Sequence, residues 1–376
     1  MIYLDYAASI PTSKEVLDVF YETTMKYSSN PNSSHKLGRQ AKQLLDDSTE
    51  KIAKLLKVKA SEIIYTSGAS ESNNLAIKGL LSRYKNRGKH IITTTFEHTS
   101  VMGPLNVLSE DGYEVEMVNI LKNGLVDLDH LKELLRADTI LVSIPYVDSE
   151  IGIEQPINEI GNILKEYPNC FFFTDSTQAV GKIDVDTSNV DLMTISPRKF
   201  CGLSGIGILI KKENVQLTPL ITGGKSTTIY RSGTPDLALV VSTAKALEIS
   251  LEKLEVNFLY VQNINKRVRE ELIKYPNIHI NSTDNAIPYT LNISIKDIKS
   301  TEFAEELEKY EIYVSTKTAC CPTNTISRSV YALTCNKKLA LSSLRISFSH
   351  ITTTDEIDMF LKYFKICYEK LVNTKI

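Results

Sequence analysis

The chain has 376 residues, of which 42% are hydrophobic and 23% charged, so it is long enough for two domains and has the composition of a packed globular protein. Its net charge of -2, with lysines and arginines spread along the chain, argues against a surface for nucleic acid or an anionic membrane. The N-terminus does not resemble a signal peptide and no long apolar stretch predicts a membrane span, so we expect a cytoplasmic protein that binds neither nucleic acid nor membrane.

Between residues 62 and 212, short apolar runs alternate with amphipathic stretches. The predicted strands are EIIYTSG, HIITTTFEH, YEVEMVNI, TILVSIPYV, CFFFTDS, LMTISPRK and GIGILIKK. Helical stretches such as ESNNLAIKGLLSRYKNR, DLDHLKELLR and QPINEIGNILKEY separate them. Strands joined by helices predict an α/β domain with a seven-stranded, mostly parallel sheet flanked by helices.

The C-terminal third has a different pattern. A long charged helical segment at about 240–274 precedes the predicted strands NIHINST and YTLNISI, a helix near EFAEELEKY, the segment IYVSTKTACC and a last helix, TTDEIDMFLKYFKICYEKLV. We therefore predict a large α/β domain at residues 12–250 and a smaller α+β domain formed by residues 1–11 and 251–376.

Polar residues at the carboxyl ends of the predicted strands are the first candidates for a site, because ligands of parallel sheets bind there. Lys199, in SPRKFCGLSGIG, follows one strand and precedes glycines that allow close backbone approach. A lysine in this position suits covalent attachment of a carbonyl cofactor such as pyridoxal 5′-phosphate (PLP). A surface lysine at a strand end is the simpler alternative.

Three further strand ends support a PLP site. Asp175, after CFFFT, suits pairing with the protonated pyridine nitrogen, although it also suits capping of a turn. Ser70 stands where a strand turns through Gly68 into a helix, which suits either a phosphate cradle or a simple N-cap. His98, in TTTFEHTSV, is predicted at the end of a strand, where an imidazole suits ring stacking and proton transfer.

Taken in order, these motifs resemble those of a known family. The segments YLDYAAS, NPNSSH, TSGASESNN, EHTSV, EIG, DSTQAVGK, SPRKFCG, RSGT, TAC and SSLRISFS resemble the cysteine desulfurases of the class V aminotransferase superfamily from residue 3 to about 358. The resemblance implies a PLP enzyme of fold type I that works as a homodimer. It also implies conversion of L-cysteine to L-alanine, with the sulfur passing to an acceptor protein for iron-sulfur clusters or other sulfur-containing products.

The resemblance also implies roles for individual residues. Lys199 would attach the cofactor, Asp175 would pair with its pyridine nitrogen, and His98 would stack on its ring as a catalytic residue. The other implied cofactor ligands are Gln178 at the ring hydroxyl, Ala69, Ser70 and Ser196 at the phosphate, and Thr234 at the phosphate of the partner subunit. No metal site is expected.

Substrate binding and sulfur transfer are assigned by the same resemblance. Arg345 would bind the α-carboxylate of the substrate through two parallel hydrogen bonds, with Ser149 nearby. Cys320, in VSTKTACC, matches the nucleophile of the family, whose thiolate would take the sulfur as a persulfide. The adjacent Cys321 precedes Pro322 and is expected to face the other way.

Four departures from the family pattern stand out. Arg198 replaces a histidine beside the lysine and is expected to hold the cofactor phosphate, while Asp148 and Ser149 replace a pair of asparagines. The segments GGKSTTIYRSGT and CCPTNTISRS also differ from the family. Three alternatives therefore stay open: a selenocysteine lyase, another PLP lyase or aminotransferase of the same class, and a non-catalytic binding partner in sulfur trafficking.

Overall fold

The computed structural model describes residues 1–316 and 325–373, and Cys320 and Cys321 lie outside them. The strands are β1 (Ile2–Tyr3), β2 (Ile63–Thr66), β3 (His90–Thr93), β4 (Glu114–Met117), β5 (Thr139–Ser143), β6 (Phe171–Asp175), β7 (Leu192–Ile195), β8 (Gly207–Lys211), β9 (Ile278–Ile280), β10 (Thr290–Ile295), β11 (Ile312–Tyr313) and β12 (Ser343–Ser347). Each of the seven strands predicted between 62 and 212 is present.

Helices connect and cover the strands. They are α1 (Lys14–Lys26), α2 (Lys36–Leu55), α3 (Ala69–Asn74), α4 (Leu80–Arg83), α5 (Thr99–Glu110), α6 (Leu128–Leu134), α7 (Ile157–Leu164), α8 (Leu237–Glu252), α9 (Leu254–Leu272), α10 (Ser300–Glu308), α11 (Arg328–Thr334), α12 (Lys337–Leu341) and α13 (Thr354–Asn373). A π-helical turn, Leu75–Gly79, joins α3 to α4, and 3₁₀ turns occur at Ala60–Glu62 and Pro197–Lys199. None of these described helices is long and apolar enough to cross a membrane.

The central sheet has the strand order β2-β8-β7-β6-β5-β3-β4. Strands β7, β6, β5, β3 and β4 run parallel, whereas β8 is antiparallel to both of its neighbours, β7 and β2. The predicted α/β fold with a seven-stranded, mostly parallel sheet is therefore confirmed. All carboxyl ends of the five parallel strands meet at one edge, which is where the predicted site residues were expected.

Apolar side chains cover both faces of this sheet. In β6, Phe172 packs into the core formed with α2, α7 and α8, while Phe171 and Phe173 point into the core on the opposite face, formed with the π-helical turn, α4 and α5. Alternate residues of a strand point to opposite faces, so a strand buried on both sides needs a continuous apolar run. The run CFFF meets this requirement.

All seven strands of the central sheet are shorter than predicted. The ends of two of these strands, and one predicted helix, have clear physical reasons for the difference. Strand β3 ends at Thr93, and His98 is the N-cap of α5 rather than the end of a strand, because the side chain of His98 accepts the backbone N–H of Ser100. The segment after β7 turns into the 3₁₀ helix Pro197–Lys199, since proline fixes the backbone angle there. The charged segment near 240–274 forms two helices that break at Lys253.

The remaining strands tie the first residues of the chain to its C-terminal part. Strand β1 pairs in parallel with β11, and β9, β10 and β12 form a separate antiparallel sheet. Asp5 forms a bridge with Ser347 at the end of β12. This contact brings residues 5–8 close to the edge of the central sheet, where they take part in the site described next. The division into two domains stays a prediction.

Candidate active site

A cavity of about 290 Å³ opens at the carboxyl ends of the parallel strands. Nine predicted site residues line it: Ala69, Ser70, His98, Ser149, Asp175, Gln178, Ser196, Arg198 and Lys199. The other three do not: Thr234 and Arg345 are not among the described residues that line the cavity, and Cys320 lies outside the described residues. The sheet thus brings together side chains that are up to 130 positions apart in the sequence, from α3 to the turn after β7.

Lys199 is buried at the wall of the cavity. Its side chain is only 6% exposed, and its Nζ donates to the backbone oxygens of Ala7 and Ala8 at 2.5 and 2.6 Å. Burial, together with the nearby cations Arg198, Lys182 and Arg345, lowers the pKa of this amine to about 6. At neutral pH Lys199 is therefore mostly uncharged, which is the form of an amine that attacks a carbonyl carbon.

Asp175 presents a fixed carboxylate to the same cavity. Its Oδ2 accepts a hydrogen bond from Asn73 Nδ2 at 2.8 Å, and its Oδ1 accepts from the backbone N–H of Thr177 at 2.9 Å and from the Thr177 hydroxyl. These donors hold the carboxylate in one orientation, with an oxygen edge toward the cavity that Asp175 lines. A cationic ring nitrogen in the cavity would find a buried counter-charge here.

His98 is connected to Asp175 through a chain of hydrogen bonds. Asn73 Nδ2 donates to both Asp175 and Ser100 Oγ, each at 2.8 Å, and Ser100 Oγ lies 2.7 Å from His98 Nδ1. Because Nδ1 also accepts the backbone N–H of Ser100, the neutral ring carries its proton on Nε2. Burial, with Lys199 and two arginines, lowers the pKa of His98 against the opposing charge of Asp175, which favours this neutral form.

The opposite side of the cavity is suited to an anion. The helix α3 begins at Ala69, and the first N–H groups of a helix have no partner within it. The strand β8 packs so closely here that a Cβ on Gly207 would lie 2.6 Å from the backbone of Gly68, so only glycine fits. Ser196 is buried and also lines the cavity. Arg198, an exposed residue at the cavity wall, adds a permanent positive charge.

Arg345 lies next to the cavity but is held by other groups. Its side chain, only 2% exposed in β12, donates from Nη2 to Asp5 Oδ1 at 2.7 Å and from Nη1 to the backbone oxygen of Ser149 at 2.8 Å. Its buried Nε has no partner among the described residues. The guanidinium is thus fixed in direction by Asp5 and Ser149, and its role toward a substrate carboxylate stays a prediction.

The segment that carries Thr234 is attached to the edge of the site. Thr234 is exposed and accepts a hydrogen bond from Asn32 at 3.2 Å. Nearby, Arg231 donates from Nε to Glu71 at 2.9 Å, and Glu71 also accepts the backbone N–H of Ser67. Although burial alone would raise it, these hydrogen bonds lower the pKa of Glu71, so the ion pair is present at neutral pH.

Two buried acidic residues, Glu97 and Asp148, are next in the chain to residues that line the cavity. Burial raises the pKa of Glu97 to about 8, although Ser143 Oγ donates to its Oε1 at 2.6 Å. Burial and the neighbouring Glu150 raise the pKa of Asp148 to about 6. Asp148, a departure from the family pattern, accepts from Ser329 in α11 at 2.8 Å, and Glu150 accepts from Ser327, the N-cap of that helix. The two residues thus attach the start of α11 to the segment that follows β5.

Several residues of the site were not predicted from the sequence. Asn73 and Ser100 were part of recognised motifs but had no role, and their hydrogen bonds to each other, to Asp175 and to His98 appear only in the structure. Ala7 contributes only its backbone oxygen, for which a sequence has no signal. Asp5 and Lys182 also went unnoticed.

Comparison with known proteins agrees with this geometry. The chain matches the family described as Aminotransferase class-V over residues 2–360, so it belongs to that family. It is 39% identical to a "NifS/IcsS protein homolog" of Lactobacillus delbrueckii subsp. bulgaricus, over 98% of this chain and 97% of that protein. It is 35% identical to "Cysteine desulfurase IscS" of Dictyoglomus turgidum, over 98% of this chain and 95% of that protein. A solved structure titled "NIFS-LIKE PROTEIN" superposes with a TM-score of 0.91 at 31% identity, covering 99% of both chains.

Proposed function

We propose that this chain is a PLP-dependent cysteine desulfurase that takes the sulfur of L-cysteine onto Cys320 and releases L-alanine. One observation carries the proposal: a buried lysine, Lys199, whose pKa is lowered to about 6, and a hydrogen-bonded carboxylate, Asp175, line a single cavity. An uncharged amine and a fixed anion are the two groups that a pyridinium aldehyde cofactor requires. The names of the relatives support the choice of cysteine as substrate.

The residues around the cavity fit PLP. Asp175 would hold the ring nitrogen and His98 would lie against the ring. The phosphate would be bound by the helix start at Ala69 and Ser70, by the Ser196 hydroxyl and by the Arg198 guanidinium, all of which line the cavity. When bound, PLP supplies an electron sink for the bonds around the substrate α-carbon. In a homodimer, Thr234 would reach the phosphate of the partner subunit.

Each step of the proposed reaction is assigned to a different set of side chains. Arg345 and Ser149 would orient the substrate carboxylate, and the uncharged Lys199 amine would move the α-proton. The Cys320 thiolate would attack the substrate sulfur, so that a sulfur–sulfur bond forms while the bond from sulfur to the β-carbon breaks. The electron pair left on carbon takes up a proton and gives alanine, and an acceptor protein would then remove the persulfide sulfur.

The test compares the two adjacent cysteines. Wild-type protein loaded with PLP is incubated with L-cysteine and a reductant, and alanine and sulfide are quantified together. We expect equal amounts of both, loss of both with Cys320→Ser, and at least half of the activity with Cys321→Ser. Mass spectrometry before reduction should find the extra sulfur on Cys320. Selenide from selenocysteine without sulfide from cysteine, or sulfur found on Cys321 alone, would contradict the proposal.

A further inference from the structure

A second buried lysine lies behind the cavity. Lys182 is only 3% exposed, and its Nζ donates to Gln178 Oε1 at 2.6 Å. The ring of Tyr289 also lies nearby, with its centroid 5.9 Å from Nζ, and Arg345 and Cys201 are close enough to act on its charge. No carboxylate pairs with Lys182 among the described residues, and an unpaired buried amine is costly enough that a functional role is the first explanation to test.

The backbone holds Lys182 in this place. Gln178 and Lys182 are four residues apart in the turn that follows β6, and the Lys182 N–H donates to the Ala179 oxygen at 3.0 Å. Gly181, between them, has a φ of 78°, and a Cβ there would lie 2.5 Å from Cβ of Phe200, the residue after Lys199. The close contact with Phe200 places the two lysine segments side by side.

The contacts of Gln178 determine how its amide is oriented. Its Oε1 accepts from Lys182, and its Nε2 donates to the backbone oxygen of Ala7 at 2.9 Å. Turning the amide over would place Nε2 against an amine and Oε1 against a carbonyl oxygen, so both hydrogen bonds would be lost. The second N–H of Nε2 is therefore left for the cavity that Gln178 lines.

We propose that Lys182 is a positioning residue of this site, which fixes Gln178 so that it presents a hydrogen-bond donor to the cavity and whose positive charge favours the uncharged amine of Lys199. The two lysines are linked through one atom, because Lys199 Nζ and Gln178 Nε2 both donate to the oxygen of Ala7. This inference rests on the proposed function only in taking PLP as the molecule that Gln178 contacts.

The charges around the two lysines support the proposed effect of Lys182 on the Lys199 amine. Burial and the nearby Arg345 lower the pKa of Lys182 to about 7, which stays above that of Lys199, about 6. The other charged groups that act on Lys199 are Arg198, Arg345 and Asp5, and they are unchanged by a substitution at Lys182.

Lys211 offers a matched control. It is also 3% exposed, and it donates to the backbone oxygens of Lys212 and Val215, both at 2.9 Å. It lies at the end of β8 that pairs with Leu192, the first residue of β7, and so at the sheet edge opposite the cavity. Lys211→Met removes a buried amine without touching the site.

The first experiment measures PLP affinity. Apoprotein is titrated with PLP, and we expect Lys182→Met to weaken binding about tenfold, as for the loss of one hydrogen bond near a charged group. Lys182→Gln, which keeps a donor without charge, should restore the affinity to within about threefold, and in a Gln178→Leu background Lys182→Met should cost less than about threefold. An equal loss in both backgrounds, or an equal loss with Lys211→Met, would overturn the positioning of Gln178.

The second experiment uses apoprotein alone. Trace acetylation across a range of pH, resolved by peptide mass spectrometry, gives the pH at which Lys199 becomes reactive. We expect this midpoint to rise by at least about half a pH unit in both Lys182→Met and Lys182→Gln, and to stay unchanged in Lys211→Met. An unmoved midpoint in the Lys182 variants would overturn the effect on Lys199. A wild-type protein that binds no PLP would contradict the proposed function, while the acetylation result would still test Lys182.

Discussion

Lys199 combines two properties that rarely occur together in a lysine: burial without a carboxylate partner and access to a cavity. Because its amine is mostly uncharged at neutral pH, we expect Lys199→Ala to lose the covalent attachment of PLP and to lower turnover by a factor on the order of 10³ or more. Borohydride reduction followed by mass spectrometry should find no cofactor on the variant protein. Lys211→Ala is the control, and cofactor still fixed to the Lys199→Ala protein would refute the assignment.

The proposed role of Asp175 depends on its negative charge rather than on its shape. We expect Asp175→Asn to keep part of the bound PLP but to lower turnover at least about 10²-fold, since a neutral amide provides no counter-charge and one of its ends meets the donors Asn73 or Thr177. Steady-state kinetics at saturating PLP measure the loss. Asp191→Asn is a suitable control, because Asp191 accepts the Phe172 N–H at the far end of the sheet. Near-normal turnover in Asp175→Asn would argue against the role.

Sequence patterns identified the residues that end strands but not those that support them. Asp175 ends β6, and Lys199 and Ser70 stand four residues after β7 and β2, so the parallel-sheet rule was enough to group them. The Ala7 oxygen and Asp5 reach the site only because β1 pairs with β11 and Asp5 meets Ser347, contacts that span more than 300 residues. No local pattern contains such pairings.

At the scale of single elements, the ion pair of Arg231 with Glu71 attaches the loop before α8 to the site. Arg231 and Glu71 are both largely buried, with side chains 22% and 16% exposed, so breaking the pair should cost more than breaking an exposed one. We expect Arg231→Ala to speed hydrogen exchange of residues 221–235 about tenfold, equivalent to about 1.4 kcal/mol. The exposed pair of Arg267 with Asp358 provides the control, since Arg267→Ala should leave exchange in its own helix almost unchanged. Equal effects of the two substitutions would show that the Arg231 pair is not what holds the loop.

The lengths of the elements show where sequence patterns reach their limit. The β-branched threonines and the phenylalanine of TTTFEH favour a strand, yet β3 ends at Thr93 and His98 is the N-cap of α5. The cap is decided by the hydrogen bond between the His98 ring and the Ser100 N–H, which competes with strand pairing and is not visible in hydrophobic periodicity. Hydrophobic patterns therefore predicted that each strand is present, whereas side-chain contacts determine where it ends.

At the scale of the whole molecule, Glu97 makes stability depend on pH. Its carboxyl is 2% exposed and its pKa is raised to about 8, so the folded protein holds a proton that the unfolded chain releases above about pH 4.5. Stability from this group is present in full at low pH and is lost as pH rises toward 8. Asp148, with its pKa raised to about 6, adds a smaller loss in the same direction over the lower part of this range.

Glu97→Gln should remove most of this dependence, because an amide replaces the protonated carboxyl with a group of the same size that does not titrate. Denaturant unfolding at pH 5.5 and pH 8 gives the free energy of unfolding, and we expect the variant to lose about 2–3 kcal/mol less than the wild type between these two values. The exposed Glu110 at the end of α5 provides the control, since Glu110→Gln leaves the buried carboxyl in place and should reproduce the wild-type loss. Equal losses in the wild type and in Glu97→Gln would mean that Glu97 is ionised in the fold, and the Ser143 hydrogen bond would then have to stabilise a buried anion rather than a neutral acid.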